Sequence, residues 1–171
     1  MKKRLLILLL VLALGAAGLW YYRPVGVYDL APGLEPESIA VTAIRTEGAL
    51  NSNRTLTLPS GSEAFDDVLQ ELESLRFRRP PTNLIPPLET VLEDDGKKID
   101  GYDYILYVTL IEENEIAWEQ WLTLTFWIDE WDYSTGTQAT NLSLHLSDGR
   151  AIGKTLGDYL WALPAEYESV S

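Results

Sequence analysis

Tyr102–Ile111 (YDYILYVTLI) and Trp121–Ile128 (WLTLTFWI) are the two stretches that decide the fold class. Successive side chains of a strand point to opposite faces, so a period of two identifies the sheet and sorts its faces. In the second stretch Leu122, Leu124, Phe126 and Ile128 fall on one face, and Trp121, Thr123, Thr125 and Trp127 on the other. The first carries bulk on both faces, as a central strand does. Asn141–Ser147 (NLSLHLS) alternates in the same way, and Asp148-Gly149 after it is a turn signal.

Upstream, Ser38–Arg45 (SIAVTAIR) and Arg54–Leu58 (RTLTL) are joined by the turn-like Gly48–Asn53, which predicts a hairpin. Ser60 and Glu63 have capping-box spacing. Phe65, Val68, Leu69, Leu72 and Leu75 then follow at helical intervals until Pro80-Pro81 stops the helix, with Arg76, Arg78 and Arg79 favourable at its end. Thr82–Gly101 is expected as a long loop. A short terminal helix is expected around Asp158–Leu163, after Arg150–Thr155. The order β-β-α-β-β-β with short turns predicts an α+β domain: an antiparallel sheet with one main helix and a short C-terminal helix on one face.

The chain begins differently. Lys2, Lys3 and Arg4 precede an unbroken apolar run, Leu5–Tyr22, closed by Trp20, Tyr21, Tyr22 and Arg23. As a helix that run spans about 27 Å, near the thickness of a bilayer's hydrocarbon core. Cations before the run favour the cytoplasmic side, so the remainder is expected outside. Three segments follow: 1–22 as a single transmembrane anchor or uncleaved signal, 23–37 with Pro24, Pro32, Gly33 and Pro36 as a tether, and 38–171 as the extracytoplasmic domain. Gly15–Gly18 are small enough for signal peptidase, which leaves secretion after cleavage as the alternative.

Ten of the 13 Lys and Arg and all 26 Asp and Glu lie beyond residue 22, so that part carries a formal charge of 10 − 26 = −16. Such a surface repels nucleic acid and anionic polymers, and no nucleic-acid partner is expected. The absence of cysteine in an exported domain fits a bacterial source. Zinc and copper need several N or S donors, and His145 is the chain's one histidine; no metal and no cofactor are expected. There is no G-x-S-x-G around Gly61-Ser62, and Gly153-Lys154-Thr155 lacks the glycine loop of a nucleotide-binding motif. Glu119, Asp129, Glu130 and Asp132 sit among tryptophans, where burial could raise a carboxyl pKa for acid–base work, but carboxylates are common throughout this chain. No catalytic residue is assigned.

The candidate binding residues are Trp118, Trp121, Trp127 and Trp131, four indoles within 14 residues. Packed, they are core; open, they suit flat ligands such as sugar rings, a proline-rich peptide or a protein. The layout of basic N-terminus, single anchor, Pro-rich tether, hairpin, SGSEAFDDVLQEL helix and YDYILYV strand resembles small membrane-anchored domains of unknown function from Gram-positive bacteria. The resemblance implies an extracytoplasmic, compact α+β domain and transfers no functional residue. The expected function is a membrane-tethered interaction or sensing domain without catalysis, with a protein or glycan partner outside the cell membrane. Carbohydrate binding at the cell envelope is the alternative reading, and an acid–base hydrolase comes third.

Overall fold

The structure is a computed structural model and describes residues 2–47, 50–79, 102–112, 120–127, 130–135, 138–144 and 146–169. The expected 82–101 loop, Trp118 and His145 lie outside those residues. Within them, α1 (Lys2–Tyr21) and α2 (Val27–Leu30) precede β1 (Ser38–Glu47), β2 (Leu50–Pro59) and α3 (Glu63–Ser74). Then come β3 (Tyr102–Glu112), β4 (Gln120–Trp127), β5 (Glu130–Thr135), β6 (Gln138–Leu144) and α4 (Gly149–Ala162). The strands form one antiparallel sheet in the order β2-β1-β3-β4-β5-β6. Since β2 and β3 both run against β1, they are parallel to each other on either side of it, and the α3 connection crosses from one flank to the other. The α+β class and the antiparallel sheet stand as expected.

The pairing registers align the apolar residues of successive strands. Val41 lies between Leu56 and Val108, Val108 opposite Leu124, and Leu124 opposite Tyr133. All five are buried, and α3 and α4 cover this face with Phe65, Val68, Leu72, Leu156 and Leu160.

Several expectations need correction. The N-cap of α3 is Ser62, not Ser60: its side chain accepts from the Phe65 amide. Residues 130–135 form β5, a strand that their charged and polar residues concealed. Arg150–Thr155 is helical, so α4 starts nine residues before the short helix expected. That helix lies close to the sheet because Gly149, Gly153 and Gly157 recur every fourth residue on its inner side. A Cβ at Gly153 would come within 2.5 Å of the Phe126 ring, and one at Gly157 would run into Tyr104. Three neighbouring strands thus press aromatic rings into a groove that only glycine leaves open.

The segment 23–37, expected as a tether, is part of the domain. Val25 and Phe77 exchange both backbone hydrogen bonds, at 2.8 and 2.9 Å, and Val25, Val27, Leu30 and Leu34 are buried. At the other terminus, Arg54 donates to the carbonyls of Trp161 and Leu163 at 2.6 Å each and to Glu168 at 2.8 Å. This closes the C-terminal end of α4 and holds Glu168 and Ser169 along β2, where the Ser169 amide donates to Thr55 O.

Helix α1 stands apart from this core. Leu6 to Leu12 and Leu14 expose 55–69% of their surface, with Trp20 at 63% and Tyr22 at 47%. Among the described residues, no helix is long and apolar enough to cross a membrane. The expected N-terminal transmembrane span thus has no support from the described helices.

Candidate functional site

The sheet has a second face, turned away from α3 and α4. Strand parity assigns to it Thr42 and Ile44 of β1, Ile105, Tyr107, Thr109 and Ile111 of β3, and Trp121, Thr123 and Thr125 of β4. Most are half-buried, Tyr107 reaches 36% exposure, and Thr125 is buried. Thr109 and Thr123 sit opposite each other and share a 2.9 Å hydroxyl hydrogen bond, a cross-strand pair of the kind that stabilises sheets. Among the residues whose side chains are described, the face mixes β-branched residues with two aromatics and bears one half-buried carboxylate, Asp132, opposite Thr125.

The four tryptophans separate on this geometry. Trp121 pairs with Ile111 on the face turned away from α3 and α4 and is half-buried. Residue 127 pairs with Ile105, so its backbone has the same strand parity; its side chain lies outside the description. Trp131 belongs to the opposite face. It is 1% exposed, its ring meets Phe126 at 5.3 Å and Phe77 at 5.9 Å, and its Nε1–H donates to Gly149 O at 3.1 Å. Trp131 is therefore core, its one polar atom satisfied by the first turn of α4. The reason is β5 itself, a strand absent from the sequence reading, which pairs antiparallel with β4 and sets Trp131 opposite the buried Phe126. Of the carboxylates beside the tryptophans, Glu119 and Asp129 lie outside the description. Asp132 lies on the face turned away from α3 and α4, and residue 130, paired with residue 127, has the same strand parity, its side chain being outside the description.

The sequence reading missed Tyr107, although parity with Ile105 and Ile111 already put it on the same face as them. It also passed over a gathering of arginines where α1 meets the domain. Phe77 is buried by its bridge to Val25, so its neighbours Arg76 and Arg78 emerge exposed. Both line an open groove of about 350 Å³ together with Pro24, Glu71, Leu146 and Ile152. A second open depression, about 660 Å³, has Glu35, Glu37 and Glu112 on its rim beside Tyr28. Among the described residues, no group of three or more His, Cys, Asp or Glu could hold a metal ion.

No protein-family model matches the chain, and neither a curated protein nor a solved structure matches it.

Proposed function

We propose that this protein is a single-pass, membrane-tethered interaction or sensing domain without catalysis, held outside the cell membrane. The observation that carries this reading is α1: 20 residues of helix whose apolar side chains from Leu6 to Leu14 face solvent instead of the domain core. An exposed apolar stripe of this size is unfavourable in water and favourable in hydrocarbon. Lys2, Lys3 and Arg4 at its start support a cytoplasmic N-terminus, and exposed Trp20 and Tyr22 at its end suit the opposite interface. The sheet face turned away from α3 and α4, around Tyr107 and Trp121, is the surface offered to a partner protein.

Protease added to cells stripped of their wall tests the topology. Digestion of the domain without lysis is expected, and protection until lysis would overturn the outside assignment.

Trp121 supports a second reading, envelope carbohydrate binding. An indole beside threonine hydroxyls offers both stacking and hydrogen bonds to a sugar ring. Glycan-array binding that is lost in Trp121→Ala would favour it over a protein partner.

A further inference from the structure

We infer that Arg23, Arg76, Arg78 and Arg79 form a collar that binds the phosphate groups of anionic phospholipids in the leaflet where α1 leaves the membrane. This rests on the membrane-anchor reading of α1. Only Tyr22, Arg23 and Pro24 separate the last residue of α1 from Val25, whose two backbone hydrogen bonds pin Phe77. That short link leaves Arg76 and Arg78 no room to drift away from the interface. Arg79 lies within electrostatic reach of Tyr21, and its Nε is buried with no hydrogen-bond partner among the described residues. Arg23 stacks over Trp20 at 5.6 Å, so its guanidinium is held at the helix end.

The nearby carboxylates do not cancel this charge. Asp29 meets Arg23 at 3.4 Å, and Glu73 accepts the Tyr28 hydroxyl at 2.8 Å. Glu71 lines the groove with Arg76 and Arg78. Among the described residues, four cations thus face three carboxylates in a domain whose formal charge is −16. The remaining acidic surface is screened beyond about 8 Å at physiological ionic strength. It would repel a long polyanion, which must lie across it, but not a lipid phosphate presented at the rim. Guanidinium groups fit phosphate oxygens through paired N–H donors, and a cation at an anionic surface is worth about fivefold in association.

The test is native mass spectrometry of the full chain released from detergent micelles containing equal amounts of phosphatidylglycerol and phosphatidylcholine. The wild-type chain should retain phosphatidylglycerol in clear excess. Arg76→Gln with Arg78→Gln should lower that ratio by about fivefold or more, while Lys2, Lys3 and Arg4 contribute equally to both proteins. Should the double variant fail to fold, Arg78→Gln alone, at an exposed position, should lower the ratio by about fivefold. An unchanged ratio in a folded variant would overturn the collar. A carbonate wash of vesicles holding the full chain separates the two ideas. Loss of the protein from the vesicles would remove the anchor and the collar together, whereas retention with an unchanged lipid ratio removes only the collar.

Discussion

Tyr159 and Tyr28 each tie a helix to α3 through a carboxylate. The Tyr159 hydroxyl donates to Asp67 and that of Tyr28 to Glu73, both at 2.8 Å. Burial first, then the hydrogen bond and the nearby negative charge, push each phenol up to about 12. In the unfolded chain a tyrosine ionises near 10. The folded-state pKa is raised, so the stability these phenols contribute is complete below about pH 10 and is lost as the pH rises through 12. Tyr159→Phe with Tyr28→Phe should therefore flatten the fall in urea midpoint across that window, and a slope like wild type's would show that the phenols do not titrate as described. At Trp121 the same measurement separates packing from display. Trp121 is only half-buried, so Trp121→Ala should cost less than the roughly 3–5 kcal/mol of a core aromatic truncation, the loss expected for Trp131→Ala. Equal losses would mean that Trp121 is covered.

Helices α3 and α4 show what periodicity reveals and what it hides. The stripe Phe65, Val68, Leu72 was legible because a 3.6-residue period survives at every buried position. Leu72→Ala should cost about 2–5 kcal/mol in equilibrium unfolding of the full chain in detergent, and exposed Glu71→Ala about 0.5 kcal/mol or less. Similar losses would refute the register. The first half of α4 was illegible for the opposite reason. Its inner positions are Gly149, Gly153 and Gly157, and glycine reads as a helix breaker, although here it makes room for rings from the sheet. Gly153→Ala gains about 1 kcal/mol in helix propensity yet must displace Phe126, itself held against Trp131, at a typical overpacking cost of about 1–3 kcal/mol. A net fall in thermal midpoint is expected; a rise would mean that the rings yield freely. Strand β5 escaped notice because Glu130, Asp132, Ser134 and Thr135 dilute its apolar signal, while its buried residues, Trp131 and Tyr133, looked like members of an aromatic cluster.

Across the whole molecule, the sequence carried the class, the hairpin and the two faces of β4, all of which depend on neighbours within a few residues. It could not carry contacts between distant residues. The bridge from Val25 to Phe77 turned an expected tether into a packed element, and with it the arginines beside Phe77 came to the junction. Phe77→Ala should both destabilise the domain by about 3–5 kcal/mol and expose the 23–37 segment to limited proteolysis. Destabilisation without new cleavage there would argue that the segment is held by something else. The same bridge has a mechanical meaning. An anchor joined through a slack linker swivels independently of its cargo, whereas one clamped after three residues works as a stalk. On the proposed anchoring, any tilt of α1 would then swing the sheet face turned away from α3 and α4 through a comparable angle, so the bilayer would set the direction in which that face looks. A pull along the stalk would load two backbone hydrogen bonds before it reached any strand of the sheet, and this small clasp would be the first part of the molecule to yield.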